Sequence, residues 1–325
     1  MNSELINILN SIIANATPLV IAGLGETISE RSGVTNLSLD GSIQLAAMAG
    51  FAAALASGNL LVGCAAAMLV GAIIALIVVA ANIELRQDMV AVGFVLTLLC
   101  ADIAQFLGQD LAGQRVPPMT KLNIPLLADV PVVGPILFQQ PAIVYVSYIL
   151  IFVIWWWMYH TRGGLALRAV GERPAAAFAR GTNVNRMRYV YTIIGGALVG
   201  LGGAAFSLAI KPGWATPPAM RGEGWIALAI VIFGGWNPFR VVLGAYLFAI
   251  LRALASAIQR SPDIQIPLVL LNMLPWMLMI ATLILVSSGA IDRLLSIMPR
   301  RLQKWTRNFL RSEPPAALGT RFEQD

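Results

Sequence analysis

The sequence predicts an all-α membrane protein, a polytopic bundle of about nine helices (8–10) with the N-terminus outside and the C-terminus inside. Three observations predict it. Hydrophobic residues make up 58% of the 325 residues and charged ones only 12%, where soluble domains run near 45–50% and about 25%. Mean hydropathy is +0.76. The apolar residues fall into runs of about 20, the length that crosses a hydrocarbon core, and Lys and Arg crowd into the stretches between some of them. So much apolar surface needs lipid to cover it, which excludes a soluble enzyme, a disulfide scaffold and a disordered chain.

Taken in order, the expected spans are 4–25, 37–56, 60–82, 89–107 and 141–160, then 189–210, 240–258 and 266–287. The first has no Lys or Arg ahead of it, unlike a secretory signal, and is read as a retained span. The piece 225–235 is apolar but half-length, bounded by Gly222, Gly224, Gly234, Gly235 and Asn237-Pro238. It is read as a short or tilted span, with a re-entrant hairpin as the alternative.

Charge sets the direction. Arg162, Arg168, Arg173, Arg180, Arg186 and Arg188 face one acid, Glu172, between the fifth and sixth spans. Arg293, Arg300, Arg301, Lys304, Arg307, Arg311 and Arg321 follow the last span. Both stretches belong in the cytoplasm, so an even number of crossings separates them and 225–235 has to cross. The domain reading is a membrane domain 1–292, with a cytoplasmic segment 161–188, and a basic cytoplasmic tail 293–325. The net charge of +6 then reflects cytoplasmic loops rather than nucleic-acid binding. Trp155, Trp156, Trp157 and Tyr159 suit an interfacial aromatic belt. The proline-rich loop 108–140 is expected outside as a partly ordered rim or lid.

Two stretches break the membrane pattern. Gly25 to Gly41 holds Glu26, Glu30, Arg31, Asn36, Ser38 and Asp40 beside small residues. Charge at such depth is costly and normally faces the bundle interior or water. Two readings stay open: an ordinary cytoplasmic turn with a Glu–Arg pair, or a broken helix beside a translocation path. The second stretch, Gly163 to Gly181, reads as two short helices, Gly164–Val170 and Pro174–Arg180, joined at Gly171-Glu172. Pro174 suits a first helical turn and Gly181 a stop. Bare positive charge would need no such punctuation, so a cytoplasmic docking knob is expected. Gly196, Gly200 and Gly203 are read as helix packing.

No P-loop, HExxH, His/Cys cluster or nucleophile elbow occurs in the sequence, so neither catalysis nor a cofactor is expected. Cys64 and Cys100 lie in apolar runs and read as buried thiols. Arg252 is the clear basic residue inside the spans, with Asp40 and Asp102 as acids. That balance favours a small neutral substrate over an anion.

The stretch Glu30-Arg31-Ser32-Gly33-Val34-Thr35-Asn36-Leu37-Ser38-Leu39-Asp40-Gly41 resembles the ERSGVVNIGLEG signature of permease subunits in bacterial ATP-binding-cassette (ABC) importers for nucleosides. Leu167 to Ala176 resembles their RAVGENPRAA coupling segment, and Gly181-Thr182-Asn183-Val184 its continuation. Gly222 to Ala229 and Ile232 to Pro238 resemble their GxGFIALAxxIFGxWNP run. Asp40 stands where the family has Glu; Arg180 and Thr182 stand for Ala and Ile. The wider group includes simple-sugar and branched-chain amino acid permeases.

The resemblance implies a permease in the bacterial cytoplasmic membrane that works by alternating access. Its partners would be cytoplasmic ABC ATPase subunits, a second homologous permease and an extracytoplasmic substrate-binding lipoprotein. Arg168, Gly171, Glu172, Pro174 and Gly181 would couple to the ATPase, Glu172 as a contact or cap and Gly171 as the bend. Glu26, Asn36, Ser38 and Asp40 would line or support the path. A secondary transporter, which usually shows internal repeats, and an integral-membrane enzyme are the rival readings.

Overall fold

The computed structural model describes residues 3–125, 127–216, 218–260 and 313–322, and residues 273, 277, 280 and 281. The expected span 266–287 and most of the tail after 292 lie outside the described residues.

The chain is a helical membrane bundle. Seven described helices are long and apolar enough to cross a membrane. They are α1 (Ser3–Arg31), α2 (Leu39–Ser57), α3 (Leu60–Ile83), α4 (Met89–Leu107), α6 (Ala142–His160), α9 (Val184–Ala205) and α11 (Pro238–Arg260). Three begin on side-chain caps: Asn59 accepts from Leu61 N, Asp88 from Ala91 N and Asn183 from Arg186 N. Each satisfies an amide that the first helical turn leaves without a partner.

Helix α9 is the centre. Inside its span 72% of residues are buried, against 22% for α4. Glycine makes this possible. A Cβ on Gly25 of α1 would lie 2.5 Å from the Gly195 carbonyl, and one on Gly200 would lie 2.1 Å from the Ala67 carbonyl of α3. Backbone therefore touches backbone on several sides of α9, as small residues permit in a bundle. The outer helices turn large apolar side chains away from the protein, among them Phe94, Leu98, Ile149, Phe152 and Leu254. Lipid is their natural solvent.

Three boundaries differ from the sequence reading. Helix α1 runs six residues past the expected end and carries Glu26, Glu30 and Arg31 in its last turns; Gly33, at φ +92°, terminates it. Helix α9 starts at Val184, so Arg186 and Arg188 are helical, and Arg188 is almost wholly buried. The 108–140 loop is folded. Strands β1 (Lys121–Asn123) and β2 (Gln139–Pro141) pair antiparallel around α5 (Val133–Leu137). Asn10 of α1 donates to Pro135 O at 2.6 Å, and Gln140 donates back to Asn10 O at 3.0 Å.

The half-length piece is α10 (Glu223–Phe233). Its start lies deep in the bundle. Gly224 packs on the Leu39-Asp40 backbone, and neighbouring Gly41 packs on Thr97, midway along α4. Among the described residues 211–216 and 218–222, no helix precedes α10. Irregular backbone at membrane depth survives only inside protein or beside a cavity; here Trp214 and Met220 are buried and Lys211 lines a cavity. The far end of α9 adds a π turn, Phe206–Ile210.

Candidate functional site: a junction of separated motifs

Helices α7 (Arg162–Glu172) and α8 (Pro174–Ala179) form the expected knob. Thr161 caps α7 by accepting from Gly164 N at 3.1 Å. Pro174 opens α8, and Gly181 follows it at φ +85°. The bend itself falls at Arg173 (φ −146°, ψ 80°) rather than at Gly171-Glu172. Gly171 serves another purpose. A Cβ there would meet the Arg31 carbonyl at 2.2 Å, so its bare backbone lets the knob lie against the end of α1.

Arg31 ties that contact together. Its Nη1 pairs with Glu172 Oε1 at 3.4 Å, its Nε donates to Trp236 O at 3.1 Å, and its Nη2 donates to Gly235 O at 3.4 Å. One residue back, Glu30 accepts a hydrogen bond from the Trp236 indole. Gly235 and Trp236 both take left-handed backbone, φ +59° and +54°. That conformation is strained for tryptophan, and the contacts to Glu30 and Arg31 hold it. Asn237 continues the network to the Tyr159 hydroxyl at 3.3 Å, while Arg168 stacks over the Tyr159 ring at 4.9 Å.

The motifs around residues 31, 172 and 236 thus meet at one end of the bundle. A cavity of about 310 Å³ opens between them, lined by Arg31, Tyr159, Glu172, Gly235, Asn237, Arg240 and Glu313. The C-terminal segment 313–322 closes over the same end. Ala316 N donates to Glu172 Oε2, Ala317 N to Gly171 O and Gly319 N to Gly33 O, at 3.3, 2.8 and 3.0 Å. Phe322 packs on Phe178 of α8 at 5.7 Å.

The remaining sequence-selected residues sit inside the bundle. Glu26 is fully buried on α1. Asn36 Oδ1 accepts from Ser38 N and Ser38 Oγ at 3.1 and 2.6 Å. Asp40 accepts from Gln44 at 2.8 Å and from Gly224 N at 3.1 Å, placing its carboxylate at the N-terminus of α10, where the helix dipole favours it. None of these four lines either cavity described here. All four are buried, so the turn packs inside the bundle.

At the opposite end a second cavity, about 340 Å³, lies among α1, the π turn and α11. Arg252 is on its wall and pairs with Glu223 at 2.6 Å. From sequence, Arg31 is noted only as a charge in the Gly25–Gly41 stretch, and Trp236 and Glu223 only as members of the 222–238 run; nothing in the order of residues joins position 31 to position 236.

Comparison with known proteins decides the family. The family described as "Branched-chain amino acid transport system / permease component" matches residues 8–286. The chain belongs to it. This permease is 32% identical to the nucleoside ABC transporter permease NupC of Lactococcus lactis, over 89% of this chain and 96% of that one. It is 34% identical to the guanosine ABC transporter permease NupQ of Bacillus subtilis, over 86% and 93%. TsgC13 of Haloferax volcanii, provisionally named a glucose ABC transporter permease, is 36% identical over 76% of each chain. The protein is an ABC transporter permease subunit, a transport component rather than an enzyme.

Proposed function

We propose that this permease imports nucleosides across a bacterial cytoplasmic membrane by alternating access. NupC and NupQ, similar over nearly their whole length, carry that reading. Neutral sugars are the second reading, favoured by the likeness to TsgC13. An extracytoplasmic lipoprotein delivers the substrate to this chain and a second homologous permease. Cytoplasmic ABC ATPase subunits dock on α7–α8. Arg168, Glu172 and Pro174 shape that knob, Gly171 seats it on α1, and Gly181 ends it. Glu26, Asn36, Ser38 and Asp40 support the path from within the wall.

Deleting this chain from cells holding the whole transporter should abolish uptake of labelled guanosine and adenosine and spare leucine. Loss of glucose or leucine uptake alone would refute the nucleoside reading.

We also propose nine spans with the N-terminus outside. The knob and segment 313–322 lie at one end, bonded through Gly171 and Glu172, so the crossings between them are even in number. Helices α9 and α11, the α10 segment and the sequence-expected 266–287 make four. In intact cells an impermeant thiol reagent should label Thr120→Cys in the β1–β2 region and leave Arg180→Cys on the knob untouched. The reverse pattern would invert the topology.

A further inference from the structure

We propose that the cavity among α1, the π turn and α11 is this subunit's half of the nucleoside site. The proposal rests on the nucleoside reading above. The cavity's volume, about 340 Å³, falls at the small end of the range for small-molecule pockets. It lies at the end of the bundle opposite the knob, which is the face that meets the binding protein in the proposed topology.

The lining is two-sided. Ile8 and Ile210, with an edge of the mostly buried Phe206, supply apolar surface, while Ser11, Asn15 and Arg252 supply polar groups. A nucleoside has the matching division: a flat base with apolar faces, and a hydroxyl-rich ribose with a polar base edge. A simple sugar has a smaller apolar face and lacks the flat aromatic base. The π turn that sets Phe206 and Ile210 is itself a costly irregularity of a kind found frequently at functional sites.

Charge also fits. Arg252 is held between Glu223, at 2.6 Å, and the Phe248 ring, at 5.0 Å. Glu223 is buried and offsets the guanidinium, whose remaining N–H groups still serve as donors to base carbonyls and ring nitrogens. Lys211 also lines the cavity and is exposed. Asn15 donates its amide to Ser11 O at 2.8 Å, while its side-chain oxygen accepts no hydrogen bond from any described residue, leaving an acceptor for a ribose hydroxyl.

The test uses the complete transporter in right-side-out vesicles, with Cys64 and Cys100 replaced by alanine. Asn15→Cys and Ser11→Cys, on adjacent exposed turns of α1, are modified with an impermeant thiol reagent, with and without the binding protein loaded with guanosine. Guanosine should slow both modifications several-fold, glucose and guanosine monophosphate should not, and Ser57→Cys at the same end should react at one rate throughout. Unchanged rates at Asn15→Cys and Ser11→Cys, in vesicles that accumulate guanosine, would overturn this site and leave the nucleoside reading standing. Equal protection by glucose or the nucleotide would overturn the assigned substrate class. Vesicles of the parent transporter that accumulate no nucleoside would overturn the reading beneath the proposal.

Discussion

Arg31→Ala is expected to cut transport by about tenfold or more while ATP hydrolysis continues, a change equivalent to about 1.4 kcal/mol or more in coupling. Arg31 is the residue through which α1, the α10 turn and the knob hold one another. Without it, the part-buried Gly235 and Trp236 carbonyls lose their side-chain donor, a loss of about 0.5–1.5 kcal/mol for a typical hydrogen bond. Arg31→Lys should rescue only part, since an ammonium cannot spread its donors across three acceptors as a guanidinium does. Glu172→Ala should cost much less. Its carboxylate is half-exposed, and exposed pairs contribute about 0–1 kcal/mol. The measurement is solute moved per ATP hydrolysed in the reconstituted complex. A wild-type ratio in Arg31→Ala would show that the junction does not carry the coupling.

Gly200→Ala should destabilise the folded bundle more than most single methyl additions. The new Cβ would sit 2.1 Å from the Ala67 carbonyl and 2.8 Å from its carbon. Both neighbours are backbone, so α3 and α9 must part. Overpacking of this kind costs about 1–3 kcal/mol, or a fall in midpoint of roughly 2–10 °C for a chain of this size. Leu69→Ala, on the outer face of α3, should change it far less. Residual folded protein after heating in detergent, followed by size-exclusion chromatography, reads both. Equal midpoints for the two variants would mean that the glycine contacts do not hold α9 in place.

The spans were legible because lipid demands long apolar runs, and α2, α3, α4 and α6 start and stop within two residues of the expected bounds. The knob was legible from Pro174 and Gly181, whose backbone preferences are local. Its bend was not. Gly171 looked like a hinge, yet its missing side chain answers a carbonyl on α1, a contact no local pattern reveals. Helix α1 outran its expected end because its last turns pack against α9 and α10, burying Glu26 and Glu30, which looked too polar for a span. The same holds for Arg31 and Trp236: each stood in a motif, but their meeting depends on how α1 and α10 cross. The fold of 108–140 was hidden because three-residue strands leave almost no periodic signal.

Accumulation of labelled guanosine in proteoliposomes tests the central claim most directly. The vesicles would carry this chain with its companion permease and ATPase subunits, ATP enclosed on the ATPase side and the loaded binding protein on the other. Guanosine should accumulate only when ATP and this chain are both present, and unlabelled adenosine should compete where leucine does not. Accumulation that persists without this chain, or that proceeds without ATP, would contradict the account.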